Sequence, residues 1–469
     1  MAAAALVVYA VALAAGGLAV WRRPSSAVYA FVVGLALHNA VMSGLFALGV
    51  EGPPLTLIAA WKEVLLAVAL ARVARDAVAG SRLPFRPSLV DGFALLFAGF
   101  VLLYSVLPQS ALGGQADATT ILYALRHDLI CVAAYFLGRS IDLPPLRRIV
   151  LVTAAVVAVL GVVEMYTVSI DRWEDADVPA YFSEQLGFEH HGPRELPENF
   201  VFNTGDENDL LRRGVSTFLS PLGTAYLLVV ALCLWAARPR SGWPLAALAG
   251  VGLLFTFTRA AMLVLAGALL VLGFVQRRWW PVAAAAVTLA VGVVWTQVYP
   301  SIAPETTWSQ ADLRYQRDQA KKLGVTPGET VALDEPSIRS HLHALRDGVE
   351  TVARQPQGYG LGNAGATALR RDVPLKAGES TYTELGVETG LLGALAFIAW
   401  NALLLWSLVR ARAAAIAAAL AAVLALAVQT DVLGTPWLAV VVWLLAGAGH
   451  TTALRSGADG RKVSVEGLA

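Results

Sequence analysis

The chain has 469 residues, of which 57% are apolar and only 15% are charged, and its mean hydropathy is +0.62. Soluble domains average about 45–50% apolar and about 25% charged residues, so this composition excludes a soluble globular protein. The formal net charge of +1 argues against a nucleic-acid-binding surface. Both cysteines lie inside apolar stretches, which excludes a disulfide framework and a cysteine-based zinc site.

Thirteen apolar stretches of roughly the length that crosses a bilayer as a helix follow one another along the chain. They fall at 4–20, 27–50, 54–72, 89–107, 119–138, 147–169, 214–236, 242–258, 259–276, 279–299, 382–409, 413–429 and 434–450. The stretches 242–258 and 259–276 are short and could form a hairpin that does not fully cross. We therefore predict an all-α polytopic membrane protein with about 12–13 transmembrane helices.

The charges of the loops predict the orientation of the chain. Arginine and lysine residues concentrate after the odd-numbered stretches, whereas the short loops 51–53, 108–118 and 430–433 contain neither. By the positive-inside rule, the N-terminus lies outside and the C-terminus lies in the cytoplasm. Two long polar segments, 170–213 and 300–381, then form two large extracytoplasmic loops. We expect function on that face, because most of the polar residues lie there.

The predicted organisation alternates membrane helices with these loops. It comprises six helices over 1–169, the first loop over 170–213, four helices over 214–299, the large loop over 300–381, C-terminal helices over 382–450 and a cytoplasmic tail over 451–469. Within the large loop, apolar residues recur at helical spacing between Ile338 and Val352, which predicts an amphipathic helix. The glycine-rich stretch 355–362 that follows must be irregular.

Ionisable residues inside the apolar stretches are the first functional candidates, because a charge in the bilayer is costly. They are His38, Lys62, Glu63, Arg126, His127, Asp128, Glu164, Arg259, Glu384 and Glu388, together with Arg213 and Asp431 at the edges of stretches. A polar cavity open to the outside would satisfy many of them. The alternative is that such residues pair and only hold helices together, which we favour for His38, Glu63, His127, Asp128 and Glu388.

Arg213 and Arg259 differ from the others, because each is expected at a helix terminus near the outer interface. A guanidinium there offers forked cationic donors to an arriving anionic head group. A lipid-linked phosphate or diphosphate is the natural ligand at that depth.

Four short segments, in order along the chain, carry a family resemblance. They are 213–223, an arginine followed by a small-residue turn; 254–261, similar to a T-(S/T)-R-(G/A)-A hairpin; 354–362, similar to a P-x-x-G-x-G-x-G loop; and 379–393, similar to a closing H-N-x-Y-L…E-x-G-x-x-G motif. Together they resemble the O-antigen ligase and O-antigen polymerase superfamily, which also contains bacterial O-linked oligosaccharyltransferases. The resemblance covers roughly 120–410, and its specificity lies in the order and spacing of the motifs.

The resemblance implies an inverting membrane glycosyltransferase with no metal or other cofactor and with a catalytic loop over 300–381. The donor would be a glycan linked to undecaprenyl diphosphate, and the acceptor a hydroxyl of a lipid, glycan or protein. The enzyme would sit among the lipids of the bacterial plasma (inner) membrane, with its active site on the extracytoplasmic side. A ligase is slightly favoured, while a polymerase or an O-oligosaccharyltransferase stays open. A transporter is the alternative from another class, although the helices show no clear internal repeat.

The family motifs also imply roles for individual residues. Arg213 and Arg259 match the two arginines that bind the diphosphate. The histidine of the closing motif falls at Glu379 and its asparagine at Ser380, a departure that makes Glu379 the predicted base. His341 and His343 are rival bases, expected on different faces of the loop helix. The predicted substrate-binding residues are Lys62, Arg126, His343, Gly358, Gly360, Gly362, Ser380 and Tyr382.

Overall fold

The protein is described by a computed structural model that covers residues 2–204, 210–323 and 336–458. In the first part of the chain its helices are α1 (Ala2–Arg22), α2 (Ser26–Ala47), α3 (Pro53–Ala59), α4 (Trp61–Ala79), α5 (Leu89–Val106), α6 (Gln109–Leu112), α7 (Ala118–Ser140), α8 (Arg147–Thr167), α9 (Ile170–Asp175) and α10 (Val178–Ala180). Further along they are α11 (Pro221–Ala236), α12 (Trp243–Phe255), α13 (Arg259–Gln276), α14 (Trp280–Val298), α15 (Gln310–Leu323), α16 (Pro336–Arg354), α17 (Gly365–Leu369), α18 (Thr381–Arg410), α19 (Ala414–Leu426) and α20 (Trp443–Ala458). Residues 459–469 of the predicted tail lie outside the described residues.

Each of the thirteen apolar stretches contains a helix, which confirms the predicted all-α polytopic membrane fold. Among the described residues, nine helices are long and apolar enough to span a membrane, and α3 with α4, bent by 42°, make a tenth, broken span. The apolar helices α11, α12 and α19 have 16, 13 and 13 residues. A full crossing needs about 20 residues, so the described residues contain fewer full-length spans than the expected 12–13.

A small antiparallel sheet joins the two long polar segments. Its strands are β1 (Val201–Asn203), β2 (Leu210–Arg212) and β3 (Glu305–Thr306), in the order β1-β2-β3. Leu210 pairs with Thr306, so the first segment is hydrogen-bonded to the start of the second. Both segments therefore lie at one end of the helical bundle, which we call the loop end.

The opposite end of the bundle is held by a buried polar network. Arg139, near the end of α7, donates from Nε to Asp91 at 2.8 Å and from Nη1 to the hydroxyl of Thr451 at 2.6 Å. The Tyr135 hydroxyl donates to the same aspartate at 2.8 Å. Because a buried carboxylate and guanidinium are costly unless paired, these contacts fix α5, α7 and α20 relative to one another. We call this the Arg139 end.

Helix α18 is interrupted at Gly390, whose φ of +70° and ψ of 172° are not helical. The glycine-rich stretch crosses α18 at this break. The amide of Leu391 donates to Pro356 at 2.8 Å, and the amide of Tyr359 donates to Val387 at 2.6 Å. The Tyr104 hydroxyl of α5 donates to the carbonyl of Gln357 at 2.6 Å. Backbone groups freed by the break are thus satisfied by another segment of the protein, as a membrane helix requires.

Gly358→Ala tests this crossing. A Cβ at Gly358 would lie 2.6 Å from the amide nitrogen of Gly390, and the residue has a φ of +75°. We expect the substitution to destabilise the fold by about 1–3 kcal/mol and to lower the melting temperature in detergent. Gly99→Ala is the matched control, since a Cβ there meets nothing within 4 Å. Equal melting temperatures for the two variants would contradict the assigned packing.

Candidate functional site

The two arginines predicted from the sequence are Arg213, which directly follows strand β2, and Arg259, at the turn between α12 and α13. Arg212, the last residue of β2, is buried and binds Glu164 of α8, with Nη2 at 2.9 Å from Oε1. Glu164 also accepts a hydrogen bond from the indole of Trp173 at 3.2 Å. This buried ion pair fixes the backbone that leads into Arg213.

Arg213 turns toward the α12–α13 turn, where it donates from Nε to the carbonyl of Thr256 and from Nη2 to the hydroxyl of Thr258, both at 2.9 Å. Burial, together with the nearby charge of Arg259, lowers its pKa to about 10, so Arg213 stays protonated at neutral pH. Arg259 begins α13, and its guanidinium lies 5.1 Å from the ring centroid of Phe202. The structure therefore brings the two predicted arginines together beside the N-terminus of a helix, which favours anions.

The segment 427–434, between α19 and the last membrane helix, organises the start of α18. Ser380 donates from its hydroxyl to the carbonyl of Ala427 at 3.2 Å, and Tyr382 donates to the carbonyl of Leu424 at 2.9 Å. Both residues are predicted to bind substrate, and their hydroxyls donate to carbonyls at the end of α19. Substrate binding by them stays a prediction. Tyr226 of α11 is hydrogen-bonded to Thr430 of this segment.

Glu379 precedes this helix start and has a φ of +68°. One of its carboxylate oxygens, Oε2, lies 2.6 Å from Nδ1 of His341 on α16. The two side chains are 43% and 53% exposed, so both are open to an arriving molecule. His343 is also exposed on α16. The structure thus joins the predicted base to one of its two rivals, a combination that sequence reasoning did not anticipate.

A chain of titratable groups links α7 to the same segment 427–434. His127 lies between two carboxylates, with Nδ1 2.8 Å from Asp128 and Nε2 2.9 Å from Asp431. Burial opposes ionisation of Asp431, but the imidazole of His127 and the amides of Leu433 and Gly434 hold the pKa of this carboxyl below its usual value. These contacts are of the helix-holding kind favoured from the sequence for His127 and Asp128.

Lys62 and Arg126 meet at Glu63. The Lys62 ammonium is almost fully buried and lies 3.6 Å from Glu63 Oε1 and 3.4 Å from Nε2 of His38. Nε of Arg126 lies 3.4 Å from the same carboxylate oxygen. Lys62 is therefore enclosed by protein partners, whereas Arg126 remains 44% exposed.

Gly358, Gly360 and Gly362 are predicted to let the backbone approach the sugar, and in the structure each lies close to other protein atoms. Gly360 and Gly362 have φ values of +99° and +81°, and a Cβ on either would lie 2.6 Å from Gln109 or Thr120, respectively. The amide of Gly362 donates to Oε1 of the buried Glu388 at 2.8 Å. With Gly358 against the break in α18, all three serve packing. Sugar binding by them stays a prediction.

The comparisons with known proteins bear on this arrangement. Residues 244–398 match the family model for O-antigen ligase. This range includes Arg259, the glycine-rich stretch and Glu379 and ends within α18, and it confirms the resemblance found in the motifs. No curated protein matches the chain. The match supports a membrane glycosyltransferase of the O-antigen ligase and polymerase type, while Arg213, Lys62 and Arg126 lie outside the matched range.

Two features of the site are absent from the sequence prediction. Arg212 looks equivalent to Arg213 in the sequence, and only the structure shows that it pairs with Glu164. Arg370, in the large loop, lies beside Arg126 although 244 positions separate them in the chain. Within the described residues, no group of three or more His, Cys, Asp or Glu side chains is placed to hold a metal ion.

The adjacent arginines should respond differently to alanine. We expect Arg212→Ala to destabilise the fold by about 3–5 kcal/mol, because it leaves the Glu164 carboxylate buried without its partner. Arg213→Ala removes hydrogen bonds to a carbonyl and a hydroxyl but strands no carboxylate, so its loss should be smaller. Thermal unfolding of the two purified variants in the same detergent measures the difference. The reverse order of melting temperatures would show that the roles are misassigned.

Proposed function

We propose that the protein transfers a glycan from an undecaprenyl-diphosphate-linked donor to an acceptor hydroxyl at the extracytoplasmic face of the bacterial plasma membrane. The observation that carries the proposal is the pair of cationic side chains, Arg213 and Arg259, which lie at the N-terminus of α13 at the loop end of the bundle. The family match to 244–398 supports the reaction class. The arginine and lysine pattern of the short loops supports an outward-facing loop end.

In the proposed reaction, the acceptor oxygen attacks the anomeric carbon of the donor sugar, and the bond from that carbon to the diphosphate oxygen breaks. A single displacement of this kind inverts the anomeric configuration. Negative charge grows on the leaving diphosphate, so Arg213 and Arg259 would bind the transition state more tightly than the bound donor. Undecaprenyl diphosphate leaves with the electron pair of the broken bond.

The acceptor proton needs a base, and the contact between Glu379 and His341 supports a shared role for them. A carboxylate that binds Nδ1 of an imidazole fixes its orientation and favours its protonated form. The proton would therefore pass to the Glu379–His341 pair, with the carboxylate stabilising the imidazolium. This arrangement fits the departure from the family motif, in which a histidine stands at the position of Glu379.

The arginine assignment is tested with purified protein in proteoliposomes and an undecaprenyl-diphosphate-linked oligosaccharide. We expect Arg213→Ala and Arg259→Ala each to lower the transfer rate about 10²–10³-fold, the usual effect of losing one charge-stabilising donor. Arg278→Ala is the control, because Arg278 is exposed just beyond the other end of α13. Near-normal transfer by either of the first two variants, with normal expression, would overturn the proposal.

The same assay distinguishes the activities that remain open. A ladder of products from donor alone would identify a polymerase. A single product that requires an added lipid, glycan or protein acceptor would identify a ligase or an O-oligosaccharyltransferase. No release of undecaprenyl diphosphate under any of these conditions would instead favour a transporter.

The base assignment is tested by a double-mutant cycle. Glu379→Gln and His341→Asn should each lower the rate about 10²–10⁴-fold, the range for loss of a general base. If the two residues act as a unit, the double variant should be little slower than either single variant. Glu350→Gln is the matched control, since Glu350 lies on the same helix, α16, and pairs with the exposed Arg346 and Arg354. Multiplicative losses would show independent roles.

A further inference from the structure

Two arginines far apart in the chain share one aromatic ring at the loop end. The guanidinium carbons of Arg126 and Arg370 lie 5.9 Å and 5.6 Å from the ring centroid of Tyr123. Arg126 and Tyr123 belong to α7, whereas Arg370 directly follows α17 in the large loop. Burial lowers the pKa of Arg370, and the charge of Arg126 lowers it further, as expected for neighbouring cations.

Protein contacts hold the inner side of each guanidinium. Nε of Arg370 donates to the carbonyl of Leu186 at 2.7 Å, and its guanidinium also lies 5.4 Å from the ring centroid of Phe188. Nε of Arg126 faces Glu63 at 3.4 Å. In the described part of the chain, no hydrogen bond engages the terminal Nη groups of either arginine. Each therefore has forked donors left for a ligand.

The local charges do not balance. Glu63 is the carboxylate within ion-pair distance of both Lys62 and Arg126, so one negative charge serves two positive ones. Arg370 adds a third cation, and across the described residues it forms no ion pair. Neighbouring like charges that are partly removed from water repel each other, and an arriving anion relieves that repulsion.

We propose that Arg126 and Arg370 bind an oxyanion carried by the sugar chain, namely a carboxylate or phosphate substituent. The ring of Tyr123, which both guanidinium groups contact, and the nearby ammonium of Lys62 complete the site. The inference rests on the proposed glycan transfer and adds that this site selects acidic glycans. The Tyr123 ring offers an apolar face beside the cationic donors, as a sugar with one charged group requires. Arg370 stands nine positions before Glu379 in the same loop.

The site is separate from the arginine pair on the α12–α13 turn. Arg213 is bonded to Thr256 and Thr258, whereas Arg126 and Arg370 are held by Glu63 and Leu186. Different helices and loops therefore position the two pairs of cations. A ligand with two anionic groups, the diphosphate and a charged sugar, could occupy both.

The experiment compares two donors that differ only in charge: an undecaprenyl-diphosphate-linked oligosaccharide bearing a hexuronic acid and the same compound with the carboxylate reduced to an alcohol. We expect Arg126→Gln and Arg370→Gln each to lower kcat/KM for the acidic donor about 10–100-fold, the usual effect of losing a hydrogen bond to a charged group. The neutral donor should change less than about 3-fold, since it makes no such bond. A donor that carries a phosphate substituent in place of the carboxylate tests the other oxyanion.

Arg371→Gln is the matched control. Arg371 is the next residue, is exposed and pairs with Asp117 at 3.5 Å, so both donors should behave as with the unmodified protein. Equal losses for the acidic and neutral donors would assign the two arginines to the diphosphate or to the fold and overturn the proposal. Unchanged kinetics with the acidic donors would overturn it as well.

A binding measurement separates this proposal from the transfer activity. The free acidic oligosaccharide and its reduced form are titrated into the purified protein, without any lipid-linked donor. We expect the acidic form to bind more tightly by about 10-fold or more, and Arg370→Gln to abolish that difference. Equal binding of the two forms would refute the site even if transfer is observed. A charge-dependent difference would support it even if transfer is not.

Discussion

The break in α18 at Gly390 is the constraint on which the arrangement of the loop end depends. A helix interrupted inside a membrane protein must have its freed backbone groups satisfied by other parts of the protein. Here the stretch 356–359 supplies the partners, and it fits only because Gly358 has no side chain. The crossing ties the end of the large loop to the bundle. It thereby fixes α16 and its His341 on one side and the segment leading to Arg370 on the other.

The sequence was sufficient for the membrane fold but less so for the site. Each of the thirteen stretches predicted from hydropathy contains a helix, because the length and polarity of each stretch are local properties. Among the described residues, three of these helices, α11, α12 and α19, are shorter than a full span. The predicted stretch 214–236, for example, includes a 3₁₀ turn at Ser216–Phe218 before α11 begins. The expected helix terminus is correct for Arg259, which begins α13, but Arg213 follows β2 and lies before α11. Its contacts with Thr256 and Thr258 come from tertiary packing.

Contacts between distant segments were beyond the reach of the sequence. Ser380 and Tyr382 are predicted substrate ligands, and only the position of α19 shows that their hydroxyls also donate to backbone carbonyls. Likewise, nothing in the sequence around Arg370 indicates that it meets Arg126. The spacing of Gly358, Gly360 and Gly362 is visible in the sequence, but the sequence does not show what these glycines contact. In the structure they contact other protein segments. Pairings of this kind are set by tertiary packing rather than by local pattern.

Helix α7 is held at two positions along its length, and this bears on how the molecule moves. Near its middle His127 contacts Asp431, and at the Arg139 end Arg139 is bound to Asp91. Sliding or tilting α7 would rupture both contacts at once and expose buried charge. We therefore expect α7 to keep its position in the bundle. Transport by rocking of two half-bundles would have to break these buried contacts, whereas glycan transfer at the loop end requires no such movement.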